Sequence, residues 1–303
     1  MSARESSDPG GRAANSGLRG RARRVAGVLG GVAALAVLPV ALVAQPATAA
    51  PCYGDCQPGV VRSPGVLKYD APVGLNDQIT VSPAPGGLFT VTDPAATLIV
   101  GPGCTLVTPH EARCAAPTSG TMAVRGLDGD DVITNATGLT ARLSGDAGND
   151  QVVGGSGDDT LIGGVGGDVL RGGGGSDTAQ YQATPNLLGV RADLDGASGD
   201  DGSADDGPAG ARDTIAADVE NLEGTNFGDV LIGNGGPNVI NGGGGSDQIQ
   251  GLGGDDDLTG ESGTGTLDGG AGGDHCTSDN RSVSAPPYTF VGCEFTLIIG
   301  AGG

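Results

Sequence analysis

The chain has 303 residues, of which 61 are Gly and 18 are Pro, while Trp is absent and only 4 Phe and 4 Tyr occur. This composition excludes a large aromatic core, and a net charge of −21 argues against binding to nucleic-acid phosphates. A Gly and Pro content near one quarter indicates disorder unless the glycines are periodic, so their spacing decides the class of protein.

Residues 1–49 have the organisation of an export signal peptide. Four arginines within 19–24 precede an uncharged run at 25–43, and the small-residue sequence Ala-Thr-Ala at 47–49 precedes a predicted cleavage site. No other apolar run is long enough to span a bilayer, which excludes a multi-span membrane protein. We expect a secreted, extracellular chain that begins near Ala50 and has no further membrane contact. An uncleaved membrane anchor is the alternative.

All six cysteines follow the predicted signal, as expected for an oxidising compartment. They fall into three sequence-local pairs, and among the pairings that six cysteines allow we expect Cys52–Cys56, Cys104–Cys114 and Cys276–Cys293. Zinc binding is not indicated, because the chain has only two histidines and no CxxC motif.

Residues 50–125 contain short β-branched runs, at 79–81, 89–91 and 98–100, separated by Pro and Gly turns. They predict a small all-β lead-in that caps the region that follows, with Cys104–Cys114 closing a hairpin. An independent binding domain is the alternative for this segment.

The glycines after this lead-in repeat every nine residues. Four nonamers run from Gly145 and six from Gly224, and an isolated copy occupies 126–134, so that the repeat blocks are 126–180 and 224–277. The ten in-register nonamers hold 32 of the 61 glycines. Such a register excludes low-complexity disorder and indicates stacked structural repeats.

Each position of the nonamer has a physical role. Positions one, two and four are mostly Gly and suit a tight turn, and position six is Asp in eight of the ten nonamers. Position eight is aliphatic in most and points inward, while its neighbours point outward. The pattern predicts a six-residue turn followed by a three-residue strand. Alternate strands would lie on opposite sides, so two nonamers make one coil of 18 residues. The inward residues are Val152, Leu161, Leu170, Leu231, Ile240, Ile249, Leu258 and Leu267.

The nonamers resemble the RTX family, the hemolysin-type calcium-binding repeat, whose signature is G-G-x-G-x-D-x-U-x. The segment GGSGDDTLI at 154–162 matches that signature at every fixed position. The resemblance implies an all-β, right-handed parallel β-roll with Ca²⁺ held between stacked turns. Its ligands would be the carboxylate at position six and turn carbonyls from successive coils on the same side.

The donor chemistry of the turns also favours Ca²⁺, a hard cation that takes six to eight oxygen ligands. The candidate calcium ligands are Asp131, Asp150, Asp159, Asp168, Asp177, Asp229, Asn238, Asp247, Asp256 and Asp274. The 18-residue coil predicts the stacked pairs Asp150–Asp168, Asp159–Asp177, Asp229–Asp247, Asn238–Asp256 and Asp256–Asp274. Asp247 would face Gly265, so that site should be weak or absent. Phe227 at a glycine position weakens the opening turn of the second block, and Asp131 lies one residue out of frame.

Two segments frame the repeats. The acidic insert at 181–223 predicts a widened coil whose Gly- and Ser-rich loop, 195–212, is a solvated loop or an extra cation site. The tail at 278–303 predicts closing strands near 288–291 and 295–299, which cap the C-terminal end.

We expect a secreted calcium-binding repeat protein with a structural role or an extracellular interaction role, and an unidentified cell-surface or matrix partner. It is not predicted to be an enzyme, because HExxH and GxSxG motifs are absent and His110 and His275 read as surface residues. The alternative is an extracellular hydrolase or polysaccharide-modifying enzyme that uses carboxylates on the roll. Relatives exported by type I systems usually lack a cleaved N-terminal signal, so the general export route is favoured.

Overall fold

The computed structural model describes residues 59–63, 65–181, 188–204, 206–208, 210–280 and 288–300. The predicted signal peptide and the Cys52–Cys56 pair lie outside these residues. Every regular element in the described part of the chain is a β-strand. None of those residues forms a helix with the length and hydrophobicity needed to cross a membrane.

The strands follow one another with short turns. The lead-in and the isolated nonamer contain β1 (Val60–Arg62), β2 (Leu67–Asp70), β3 (Gln78–Ala84), β4 (Leu88–Thr92), β5 (Ile99–Val100), β6 (Cys104–Thr108), β7 (Glu111–Ala115), β8 (Thr121–Asp128) and β9 (Val132–Asn135). The rest of the first block contains β10 (Thr140–Ala147), β11 (Gln151–Val153), β12 (Thr160–Val165), β13 (Val169–Arg171) and β14 (Thr178–Gln180).

The insert, the second block and the tail continue in the same way. The insert contains β15 (Arg191–Asp193), β16 (Thr214–Ile215) and β17 (Asn221–Glu223). The second block and the tail contain β18 (Val230–Ile232), β19 (Val239–Asn241), β20 (Gly245–Gln250), β21 (Asp257–Asp268), β22 (His275–Asn280), β23 (Thr289–Val291) and β24 (Phe295–Gly300).

Parallel pairing arranges these strands as two walls of a β-solenoid. One wall runs through β2, β8, β10, β12, β14, β17, β19, β21, β22 and β24. In it Leu161 pairs with Leu143, which lies 18 residues earlier. The opposite wall pairs Val152 with Leu170, again 18 residues apart. The predicted coil of two nonamers and the parallel β-roll are therefore confirmed.

The core is a narrow stripe between the walls. All eight inward residues predicted at position eight are buried, as is the corresponding Cys276 in the last nonamer. Position seven faces outward, and Val239 is 55 % exposed. One aliphatic side chain per nonamer fills this space, which is why the fold needs so few aromatic residues.

The lead-in is part of the solenoid, although no glycine nonamer marks it. In β3, Ile79 pairs with Ile133 of β9, 54 residues later. The segment 72–80 thus forms half of a first coil, stacked against the isolated nonamer, with Asp77 and Ile79 at positions six and eight. Sequence reading missed this coil because it lacks the glycines. Between the two coils the chain makes an antiparallel excursion through β4, β6 and β7.

Two of the three predicted disulfides fall within the described residues, and both are formed. Cys104 and Cys114 are cross-strand partners in β6 and β7, so their disulfide closes a hairpin as predicted. Cys276–Cys293 joins β22 to the tail. The tail strands β23 and β24 pair in parallel with β21 and β22, which confirms that they continue the walls.

The insert differs from a solvated loop, because several of its acids are buried. Asp201 is buried and accepts hydrogen bonds from the backbone N–H groups of Asp193 (2.7 Å) and Ile215 (2.9 Å). Asp206 and Asp213 are buried as well. These contacts fold the insert against the coils that it connects.

We predict that Leu161→Ala lowers the free energy of unfolding by about 2–5 kcal/mol, because the thin core has no second layer to fill the cavity. Val239→Ala removes an exposed position-seven side chain and should change the free energy of unfolding by less than about 0.5 kcal/mol. Urea unfolding of both variants at saturating Ca²⁺ measures the difference. Equal effects would contradict the assignment of positions seven and eight.

Candidate metal centre

The acids at position six stack into columns along the turns. In each column, a backbone N–H of one coil donates to the carboxylate of the next coil. Asp150 N–H donates to Asp168 Oδ1 (2.8 Å) and Asp159 N–H donates to Asp177 Oδ1 (2.8 Å). The same bond occurs along the chain for Asp131–Asp150 (2.7 Å), Asp229–Asp247 (3.0 Å), Asn238–Asp256 (2.9 Å) and Asp256–Asp274 (3.0 Å).

The acids that precede the strands of the wall with Val152 and Leu170 form what we call the first column: Asp77, Asp131, Asp150, Asp168 and Asp213. The groups that precede the strands of the wall with Leu143 and Leu161 form the second column: Asp159, Asp177, Glu220, Asn238, Asp256, Asp274 and Glu294. Asp229 and Asp247 form a short third column in the second block. The predicted same-side pairs are thus neighbours within columns, and Asp131, although out of frame, joins the first column.

The carboxylate oxygen that does not accept the hydrogen bond between coils divides the candidates into two groups. In the first group it is buried and meets no hydrogen-bond donor, and this group is Asp131, Asp150, Asp168, Asp177, Asp256 and Asp274. A buried carboxylate oxygen without a donor is costly unless a positive charge compensates it. The six acids of this group are therefore the strongest candidates for metal ligands.

Glycine at position one allows this oxygen to approach the backbone. A Cβ on Gly145 would lie 2.1 Å from Asp150 Oδ2, and one on Gly163 would lie 2.2 Å from Asp168 Oδ2. Any other residue would displace the carboxylate. Glycine at position one therefore leaves room for the carboxylate of position six.

Backbone carbonyls also pack closely between the turns of successive coils. A Cβ on Gly166 would lie 1.8 Å from the carbonyl oxygen of Gly148 in the preceding coil. Gly166 also has a positive φ of 133°, which L-residues rarely adopt. Each turn therefore combines carboxylate and carbonyl oxygens, the donor set of a Ca²⁺ site.

The electrostatics of the columns are unfavourable without a cation. Burial raises the pKa of Asp131, Asp150 and Asp168 to about 7, and that of Asp177 to about 6. Backbone N–H donors lower these pKa values, while neighbouring acids raise them further. A bound Ca²⁺ would supply the positive charge that permits the ionised form.

Four of the ten candidates have their oxygens satisfied by the protein itself. Asp159 accepts from the N–H groups of Ala141 (2.7 Å) and Gly155 (2.6 Å). The side-chain amide of Asn238 donates to the Glu220 carbonyl (2.7 Å), so it already has a hydrogen-bond partner within the second column.

The remaining two satisfied candidates lie in the third column. Asp229 accepts from the backbone N–H of Thr225 (2.7 Å) and from its hydroxyl, in the turn that contains Phe227. Opposite Gly265, the hydroxyl of Tyr288 donates to Asp247 Oδ2 (2.5 Å). The tail therefore fills the place where the sequence lacks an acid.

Several column members were missed because no glycine nonamer surrounds them. Asp168 N–H donates to Asp213 (3.0 Å), Asp177 N–H to Glu220 (2.8 Å) and Asp274 N–H to Glu294 (2.7 Å). Asp213 and Glu220 have an aliphatic residue two positions later, as in the repeat. An acid followed by this spacing is the signal that could have found them.

A separate acidic group lies in the insert. One carboxylate oxygen each of Asp193, Asp195 and Asp200 lie within 4.8 Å of one another, an arrangement that could hold a metal ion. Asp193 also forms an ion pair with Arg191 (3.0 Å), which compensates part of its charge.

The histidines lie apart from the columns. His110 Nδ1 lies 2.5 Å from the carbonyl oxygen of Ala96. His275 is exposed and faces Asp257 at 3.5 Å. The donors assembled in the turns are thus oxygens, which fit Ca²⁺ better than zinc or copper.

The repeat blocks also match a known family. The model of the RTX calcium-binding nonapeptide repeat matches residues 144–179, 223–258 and 241–276. These segments cover the in-register nonamers except for the last residue of each block, and they begin after the isolated nonamer at 126–134. No curated protein matches the chain at a significant level.

We predict that Asp168→Asn weakens Ca²⁺ binding by at least about tenfold at the affected site, because ligand charge sets affinity. The amide oxygen can still accept the Asp150 N–H, so the coil should remain intact. Isothermal titration calorimetry compares this variant with Asp257→Asn, which removes an equal charge from an exposed side chain. Equal affinities in the two variants would contradict ligation by Asp168.

The raised pKa values predict how the Ca²⁺-free roll responds to pH. A buried acid with a folded pKa of about 7 holds a proton that the unfolded chain, with a pKa near 3.9, has lost. This contribution to stability is complete below about pH 4 and is lost as the pH rises through 7. In EGTA, the fraction of chain that remains folded should therefore be larger at pH 5 than at pH 8, which far-UV circular dichroism measures.

Calcium binding should show the converse dependence, because Ca²⁺ displaces those protons. Affinity should fall as the pH falls below 7, and binding should release protons. Titrations in buffers of different ionisation enthalpy measure the proton count. Binding without proton release at pH 6 would contradict the pKa assignment.

Proposed function

Because the chain belongs to the RTX calcium-binding repeat proteins through its two repeat blocks, we propose that it binds several Ca²⁺ ions between its coils and folds on binding them. The observation that carries this proposal is the set of six buried position-six carboxylates, each with one oxygen that meets no donor. Turn carbonyls lie close to these oxygens, since a Cβ on Gly126 would lie 2.0 Å from Asp131 Oδ2 and 2.9 Å from the Gly145 carbonyl oxygen.

Folding and binding are coupled in this proposal. The stripe of one aliphatic side chain per nonamer offsets little of the entropy lost by the 32 glycines of the in-register nonamers. At ten times its Kd, each independent Ca²⁺ site adds about 1.4 kcal/mol to the free energy of unfolding. A handful of sites then reaches the stability of an ordinary domain, about 5–15 kcal/mol.

We propose that the protein acts outside the cell, as a calcium-dependent structural element or interaction module without catalytic activity. The two disulfides and the predicted signal peptide support export, and extracellular Ca²⁺ would switch the chain from unfolded to folded after export. The columns of acids are committed to backbone hydrogen bonds between coils, which supports a structural role for them. A cell-surface or matrix partner would bind the calcium-loaded roll.

We predict that the chain without its signal peptide is largely unordered in EGTA and becomes β-rich in Ca²⁺. The midpoint should lie at roughly 10⁻⁴ to 10⁻³ M, as for other extracellular modules. Far-UV circular dichroism measures the transition, with Mg²⁺ at equal concentration as the control. Mg²⁺ should be less effective, because it demands a tighter octahedral site. Identical spectra in EGTA and Ca²⁺ would contradict coupled folding.

A further inference from the structure

The insert lies where two sheets of the solenoid meet end to end. The sheet that contains β13 of the first block has β16 as its end strand. The strand β15 pairs with β18 of the second block and is likewise an end strand. Both end strands belong to the insert, so the contact between them decides how the two blocks are joined.

A short antiparallel segment, residues 200–202, makes this contact, and we call it the link segment. On one side, the N–H of Arg191 in β15 donates to the Gly202 carbonyl (3.0 Å). On the other side, Asp201 and Asp213 exchange backbone hydrogen bonds of 3.2 and 3.1 Å, directly before β16. The link segment therefore takes the place of a direct pairing between β15 and β16.

Three acids converge where the link segment meets the end of β15. Asp193 is the last residue of β15, Asp195 lies two residues later, and Asp200 opens the link segment. One carboxylate oxygen of each lies within 4.8 Å of the other two. The Asp193 N–H donates to Asp201 Oδ1 (2.7 Å), which holds the two segments together. The convergence thus follows from the backbone contacts of the link segment.

Burial supplies an independent indication that this group binds a cation. Asp193 is 6 % exposed, and its Oδ1 is buried and meets no hydrogen-bond donor. Asp200 Oδ1 is buried without a donor as well. The Arg191 guanidinium contacts Asp193 Oδ2 at 3.0 Å and compensates one of the three carboxylates. Two negative charges remain, and one divalent cation would compensate them.

This group does not occupy the position of the acid columns. Ala192 of β15 pairs with Leu231, which is a position-eight residue. Position six of this coil is therefore Val190, and Asp193 lies at position nine. Asp193 pairs with Ile232, so the neighbouring coil supplies no acid at this position. The group thus lies at the opposite end of the strand from the columns, and the nonamer pattern does not predict it.

We propose that Asp193, Asp195 and Asp200 bind a Ca²⁺ ion that joins the link segment to the end of β15. The three side chains offer oxygen ligands only, as a hard cation requires. Ligands at 2.3–2.6 Å from a Ca²⁺ ion lie at most about 5 Å apart, so oxygens within 4.8 Å of one another can share one ion. The ion would hold the two repeat blocks in register. This site is separate from the proposed sites between coils and does not rest on them.

The test uses the full chain with Ca²⁺ alone as the probe. Equilibrium dialysis should give one Ca²⁺ fewer per chain for Asp193→Asn/Asp195→Asn than for wild type. Asp257→Asn, which removes an exposed charge, should bind as many ions as wild type. At saturating Ca²⁺, hydrogen exchange in residues 191–202 should be at least about tenfold faster in the double variant, while β12 and β20 keep their wild-type rates.

The outcomes separate this site from the sites between coils. A double variant with the wild-type number of ions would overturn the inference, even with faster exchange, because the substitutions would then have loosened only the loop. The proposed function would stay intact in that case. A wild-type chain that binds no Ca²⁺ would overturn both. Loss of one ion in the double variant but none in Asp168→Asn would support this site and contradict ligation by Asp168.

A single variant decides if the double variant fails to give the calcium-loaded circular dichroism spectrum. Asp195 is exposed, and in Asp195→Asn the amide oxygen can still accept the Ala197 N–H that Asp195 Oδ1 accepts at 2.6 Å. We expect this variant to weaken one Ca²⁺ site by about tenfold, because ligand charge sets affinity. Binding equal to that of Asp257→Asn would overturn the inference.

Discussion

The structure depends on burying a carboxylate in most turns of a solenoid. From Asp131 onward, one oxygen of each of these acids accepts a backbone N–H from the preceding coil, which fixes the register between coils. The other oxygen is turned inward, and in six of the candidate acids it meets no donor. A fold stabilised mainly by apolar burial would avoid this arrangement, because an uncompensated buried charge is among the costliest defects. In the function that we propose, the same acids that hold the coils together make the roll dependent on a cation.

This constraint explains the composition. Glycine at position one is needed because Asp150 Oδ2 and its equivalents lie where a Cβ would be. Glycine at position four is needed because a backbone carbonyl of the preceding coil lies where a Cβ would be. The chain thus uses its glycines for close approach of backbone and carboxylate, and very little volume remains for a hydrophobic core. One aliphatic residue per nonamer is enough to fill the space between the walls.

The demand for charge compensation is uneven along the roll. The first column is the most demanding, since Asp77, Asp131, Asp150 and Asp168 each have at least one oxygen without a donor. The carboxylates of the third column accept hydrogen bonds from neutral donors. Thr225 donates to Asp229, and the Tyr288 hydroxyl donates to Asp247. Where the sequence departs from the glycine and aspartate pattern, at Phe227 and Gly265, the structure has thus replaced the charge balance of a metal site with hydroxyl and amide donors.

The period, the 18-residue coil and the inward residues such as Leu161 could be predicted from the sequence, because they follow from local spacing and side-chain alternation. The pairing of Asp150 with Asp168 could be predicted as well, since a strict repeat converts sequence distance into spatial contact. The places of Asp77, Asp213, Glu220 and Glu294 in the columns are visible only in the folded chain, because excursions of irregular length separate them from their neighbours. Only the tertiary structure could place Tyr288 against Asp247. This contact joins segments with no common period, and packing at the end of the roll brings them together.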